Sequence, residues 1–334
     1  MYTGRINDND RRTWLCNHVI VSYYAAMISV VQQMEVTMKT ARDFLIVVFV
    51  CSCSRWLMPG VHAFDEVASS KSAKGLSIAT QTDEVSDTER LSKLIEDAVD
   101  DYQLYSSPNS SDKLIARPVL RWRNAARGQD GEAMLAIWLK NGHPLAMASI
   151  YPWGGELKHE FDLLAPKPGL VAKSEENLIW SPATAGVEFK KVPGSKAPAS
   201  TPVARLREMK AFAERFEGTM TGWNAADTDN ETLRLLPRPI YRYESSPNSD
   251  AKDLPLDGAM FAFTTGTDPE IVLMLEADGT GDSMSWEYAC VRATSGGLEM
   301  RLDGAVVWTA SKFPESSQPG KPHFTYGAPL PVEN

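Results

Sequence analysis

One ordered set of short motifs occurs twice in this chain. "RPVLRW" at Arg117 to Trp122 is followed by "DGEAMLAIWL" from Asp130, "HEF" at His159 to Phe161 and "NLIWSP" around Trp180. "RPIYRY" at Arg238 to Tyr243 is followed by "DGAMFAFTTG" from Asp257, "WEY" at Trp286 to Tyr288 and "AVVWTA" around Trp308. The separation between copies climbs steadily. It is 115 residues from Arg90 to Arg205 in the helical stretches ahead of the motifs, 121 at the RP dipeptides, 127 at the DG and the glutamate, and 128 at the closing Trp. A duplication followed by changes in loop length leaves such a drift, whereas chance matches scatter. The phrase "SSPNS" also occurs twice, at 106–110 and 245–249, but its separation of 139 is out of register. Ser, Pro and Asn are what exposed turns are made of, so both copies are expected to be loop.

Each copy reads as a helix followed by short strands. In "SDTERLSKLIEDAVDDYQLY", Leu91, Leu94, Ile95, Ala98, Val99 and Tyr102 recur at helical spacing, with Ser86 or Asp87 as cap. In "TPVARLREMKAFAERFEG", Thr201 caps, Pro202 takes the first helical position and Gly218 stops the helix, with Leu206, Met209, Phe212, Ala213 and Phe216 as its apolar stripe. "KNGHP" at Lys140 to Pro144 and "TGTDPE" at Thr265 to Glu270 are hairpin turns between β-type runs. The connections are too short for crossover helices, so pairing is antiparallel. The expected fold class is α+β: two tandem related units, residues 86–195 and 200–313, each one helix packed on one face of an antiparallel sheet of four to five strands. Residues 314–334 are Pro/Gly-rich and expected to lie extended along the surface.

The N-terminal region points to export. From Met38, Lys39 and Arg42 precede an almost continuous apolar run from Phe44 to Cys53, and "VHA" at Val61 to Ala63 is a small-x-small cleavage site. That is the layout of a signal peptide over residues 38–63, with cleavage after Ala63, and its apolar run is short for a membrane span. Residues 1–37 then form an upstream extension, outside the fold if translation starts at Met38, and residues 64–85 a polar flexible linker. The expected location is secreted or periplasmic. The alternative is a protein anchored in the membrane by the apolar stretch Trp14 to Val31 or by the uncleaved signal, and so associated with the envelope. Cys16, Cys51 and Cys53 all precede the cleavage site, which leaves Cys290 without a disulfide partner.

Composition excludes little beyond nucleic acid. The chain has 334 residues, and its net charge of −9 comes without a long basic block, so nucleic-acid binding is not expected. Metal chemistry finds no ligand set. His143, His159 and His323 are far apart in sequence, and "DTDNE" at Asp227 to Glu231 and "DGTGD" at Asp278 to Asp282 fall short of a calcium loop. No G-x-S-x-G elbow, S-x-x-K or phosphate-cradling glycine loop occurs, and "SGG" at Ser295 to Gly297 reads as a turn. No cofactor and no catalytic residue is assigned.

Two features remain as ligand-binding candidates. Arg117 and Arg121 lie on one face of a strand, and Arg238 and Arg242 repeat them; a cleft between the units could use these guanidinium groups to bind a carboxylate or phosphate. The structural alternative pairs Arg121 with Glu160 and Arg242 with Glu287, and the occurrence of the same residues in both copies favours it. Trp153 in "YPWGGE" and Trp223 in "TGWNAAD" sit in loop-like sequence and could serve as platforms for a carbohydrate; Trp122, Trp180, Trp286 and Trp308 sit at recurring strand positions and read as core.

"RPVLRW", "GTDPE" with its apolar sequel and "RLLPRPIYRY" together resemble a set of uncharacterised secreted bacterial proteins, over most of residues 86–310. The resemblance implies export and a shared fold, and carries no activity and no functional residue. The function expected from the sequence is therefore an exported non-catalytic binding or structural protein of the periplasm or cell envelope. The alternative is a secreted hydrolase acting on envelope or extracellular polymer, with a site between the two units.

Overall fold

The computed structural model describes residues 79–124, 129–175, 177–221, 230–244, 254–279, 283–312 and 318–330. The expected signal segment 38–63, residues 1–37, Trp223 and the second "SSPNS" lie outside the described residues.

In chain order, helix α1 (Ala79–Asp101) leads to β1 (Tyr102–Tyr105), β2 (Ile115–Asn124), β3 (Gln129–Lys140), β4 (His143–Trp153), β5 (Glu156–Leu163), β6 (Val171–Ser174), β7 (Asn177–Trp180) and the short β8 (Lys190–Lys191). Helix α2 (Pro202–Ala213) then leads to β9 (Phe216–Thr221), β10 (Asn230–Thr232), β11 (Arg234–Leu235), β12 (Tyr241–Glu244), β13 (Asp257–Thr265), β14 (Asp268–Asp278), β15 (Ser285–Arg292), β16 (Gly297–Leu302), β17 (Ala305–Ala310) and β18 (His323–Pro329). The described strands form four separate sheets, and every strand pairing among them is antiparallel. Two are small, β1-β6-β7 and β10-β9-β16-β17; two are large, β18-β5-β4-β3-β2 and β11-β13-β14-β15-β8 with β12 also on β13.

The expected α+β fold, with one helix on one sheet in each of two tandem units, is therefore corrected to a mostly β fold with two helices among the described residues. The reason lies in what covers each sheet face. Trp122, Leu135, Ile137 and Met147 of one large sheet pack with Val272, Met274, Ala289 and Val291 of the other, so the two large sheets share a core face to face. The outer face of the first sheet is covered by Ile95 and Val99 of α1 together with Leu104, Ala172 and Trp180 of the three-stranded sheet. The outer face of the second is covered by Met209 and Ala213 of α2 together with Phe216, Met220 and Met300 of the four-stranded sheet. Strands buried on both faces do not alternate, which is why "GAMFAFT" and "PEIVLMLEA" are apolar almost throughout and buried at every position. A helix alone is too narrow for such a face, and the small sheets complete the cover.

Local signals behave as the chemistry of turns and caps requires. Thr201 Oγ1 accepts the Ala204 N–H at 3.3 Å and Pro202 begins α2. The helix ends at Ala213, ahead of the expected Gly218, because Phe216 already belongs to β9. Asn141 and Gly142, at φ of 52° and 82°, make the two-residue turn between β3 and β4, the primed geometry that matches strand twist. The C-terminal segment is not merely surface chain: residues 323–329 are β18, laid along β5 from His323 opposite Asp162 to Pro329 opposite Glu156. No described helix is long and apolar enough to cross a membrane.

Candidate functional site

The arginines do not converge. Arg121 bonds Glu132 at 2.7 Å and Ser92 at 3.0 Å and also pairs with Glu96, all on the α1 side of the first sheet. Arg242 bonds the buried Asp257 at 2.7 and 3.1 Å, and Arg205 of α2 bonds the same carboxylate at 2.7 Å. These partners replace the expected Glu160 and Glu287. Glu160 meets Ser295 instead, and Glu287 stands opposite Lys191 in the sheet. Arg117 stacks its guanidinium over Tyr241 at 5.2 Å, and Arg238 is exposed just ahead of β12. Trp153 is 48% exposed beside the Gly154–Gly155 turn; Trp223 is not described.

Three further polar clusters lie in the interior of the described residues. In the first, β18 lies in register with β5, so His323 stands opposite Asp162 and Thr325 opposite Glu160. His323 Nδ1 is 2.9 Å from Asp162 Oδ1. Ser295, in the turn between β15 and β16, donates its hydroxyl to Glu160 at 3.0 Å and lies 3.4 Å from His323 Nε2. Burial pushes the Glu160 carboxyl above its usual range, against the pull of His323. Ser295, His323 and Asp162 are the residue types of a hydrolytic triad, in the right order of contact. The serine hydroxyl is nonetheless closer to Glu160 than to the histidine, and Thr325 Oγ1 also lies 3.4 Å from Nε2. The arrangement ties the turn after β15 to the β5–β18 edge of the other large sheet.

The second cluster also joins the large sheets. His143, at the start of β4, is 3.0 Å from Glu276 Oε1 on β14, which accepts the Tyr243 hydroxyl at 2.6 Å. Burial first, and Glu276 second, raise the Tyr243 hydroxyl well above its usual range. In the third, the Tyr102 hydroxyl contacts His159 Nδ1 at 2.7 Å and meets the Tyr326 hydroxyl, while the His159 and Tyr326 rings stack at 4.6 Å. Burial lowers His159 to a pKa of about 4, so the ring is neutral at pH 7. No group of three or more His, Cys, Asp or Glu that could hold a metal occurs among the described residues.

One open feature among the described residues is a cleft of about 250 Å³ at the β8 edge of the second large sheet. Tyr288, Cys290, Val307 and Trp308 line it, with Lys190 and Glu188 at 3.5 Å from each other among its lining residues. It exists because β8 is only two residues long and pairs only Glu287 and Tyr288 of β15. Burial pushes the Cys290 thiol up to about 12, so that wall is an uncharged small hydrophobe.

The sequence reads Trp308 as core and "SGG" as a turn. No local signal brings Ser295 to His323 and Asp162, which meet through the pairing of β18 with β5 and the approach of the β15–β16 turn. No protein family, curated protein or solved structure matches the chain.

Proposed function

We propose that this chain is an exported protein of the periplasm or cell envelope that works by binding or structural association, without catalysis. One observation carries this reading. Most side chains that could form an anion site or an acid–base site are used to join elements of the fold: Arg121 to Glu96 and Glu132, Arg242 and Arg205 to Asp257, Ser295 to Glu160, His323 to Asp162 and His143 to Glu276. What the described surface offers is an aromatic cleft, a feature suited to binding. The signal-like segment 38–63 and the resemblance to secreted bacterial proteins support export. Among the described residues both halves run from a helix through small-sheet strands (β1; β9 and β10) to a large-sheet meander (β2–β5; β12–β15) and two small-sheet strands, with β10 and β11 extra in the second half. This shared order supports descent from one duplicated segment.

The test is to express the full chain in a Gram-negative host, sequence its mature N-terminus and sediment it with isolated envelopes. A start at Phe64 and recovery in the envelope pellet are expected; retention of Met1 in a cytosolic, non-sedimenting protein overturns the reading.

A second reading, a hydrolase of envelope or extracellular polymer, is favoured by Ser295, His323 and Asp162 alone. It requires Ser295 to be labelled by a fluorophosphonate probe, with labelling abolished in His323→Ala; an unlabelled chain removes it.

A further inference from the structure

The two large sheets differ at their β5 and β15 edges. On β5, Phe161 has Phe324 of β18 directly opposite; on β15, Tyr288 has Lys190 of β8 directly opposite. Behind Phe161 stands Trp180, the last residue of β7, with ring centroids 5.5 Å apart. Beside Tyr288 stands Trp308, on β17, the last strand of the other small sheet. In the first half, the place between the sheet edge and the small sheet is filled by an aromatic side chain on an extended strand: Phe324 stacks 6.4 Å from Phe161, and the segment leading to it accepts the Trp180 indole N–H through Lys321 O at 2.8 Å. In the second half the corresponding place is the cleft.

We propose that this cleft is a docking site for an aromatic side chain carried on an extended peptide of a partner protein. The inference rests on the binding reading above and names the kind of partner. Its size fits: about 250 Å³ accommodates one ring but falls below the roughly 300–1,000 Å³ of small-molecule pockets. Its walls fit, because the half-buried Trp308 and the edge of the buried Tyr288 line it, where a third aromatic ring can pack. Its frame fits, because β17 ends the order of its sheet and β8 pairs only two residues of β15, which leaves strand edges for main-chain hydrogen bonds to an added strand. The Lys190–Glu188 pair carries no net charge, so it selects neither an acidic nor a basic peptide.

The probe is the synthetic peptide KPHFTYGAPL, residues 321–330 of this chain, which carries the filler of the matching place. It is titrated calorimetrically into the full chain. Binding is expected to weaken at least tenfold when the peptide's Phe is replaced by Ala, and at least tenfold in Trp308→Ala. Lys190→Phe supplies the missing ring from within and should block the peptide at least tenfold while keeping or raising the Tm, so loss of binding there cannot be assigned to misfolding. No heat with the wild-type chain, or equal binding by wild type and Lys190→Phe, overturns the proposal. A chain that sediments with envelopes yet takes no peptide overturns the docking site alone; one that does neither overturns the binding reading as well.

Discussion

The two RP-x-x-R-aromatic motifs look alike in sequence, yet they should differ several-fold in what their arginines contribute. Asp257 is fully buried and accepts from both Arg205, with 6% side-chain exposure, and Arg242, with 24%. Asp257→Asn keeps the shape but removes the charge that compensates two guanidinium groups, one of them buried. Breaking a buried pair by removing one partner costs about 3–5 kcal/mol. At about 2–4 °C per kcal/mol for a domain of this size, the melting temperature should fall by about 10 °C. Glu132, the partner of Arg121, is part of a solvent-screened cluster whose arginine is 37% exposed. Glu132→Gln should cost below about 1 kcal/mol, and less at high salt. Thermal and urea unfolding followed by circular dichroism measure both. If Asp257→Asn melts within 2 °C of wild type, or if Glu132→Gln costs as much, the assignment of these arginines by burial is refuted.

Three further perturbations read other parts of the structure. His159 has its folded-state pKa lowered to about 4 by burial, so the folded protein binds fewer protons than the unfolded chain below pH 6.5; stability should fall as pH drops from about 6.5 to 4, by up to about 3 kcal/mol, and His159→Gln should flatten that slope in urea titrations across the window. Gly258→Ala would place a methyl group 2.3 Å from Tyr243 Cε2, in a ring held by its hydroxyl on Glu276, and should cost about 1–3 kcal/mol in unfolding free energy; a neutral result means that ring can move. Ser295→Ala removes one hydroxyl donor from the buried Glu160, which keeps that of Tyr151, and should lower stability by about 1 kcal/mol, with an unchanged urea midpoint counting against its role as a joint.

How far the sequence could be read follows from the range of each interaction. Thr201 and Pro202, the Asn141–Gly142 turn and the apolar stripe through Ile95 and Val99 act within a few residues, and each sits as its local chemistry requires. The layering does not follow from local signals, because a single helix is too narrow to cover a sheet face and the small sheets that complete the cover form by long-range pairing. The contrary sign was present in "GAMFAFT" and "PEIVLMLEA", whose unbroken apolar character marks strands covered on both sides. β18 is masked by its Pro/Gly-rich surroundings, although "HFTY" alternates polar and aromatic residues as strands do. The Ser295–His323–Asp162 cluster and the Tyr288–Trp308 cleft are products of long-range strand pairing, and no spacing along the chain encodes either.

Docking through the cleft beside Trp308 is what joins the binding reading to a particular surface of the protein. Sedimentation of wild-type and Lys190→Phe chains with isolated envelopes, under identical salt, tests it most directly. Wild type in the pellet and Lys190→Phe in the supernatant, with equal or higher Tm for the variant, is the predicted result. Equal sedimentation of the two chains would contradict it.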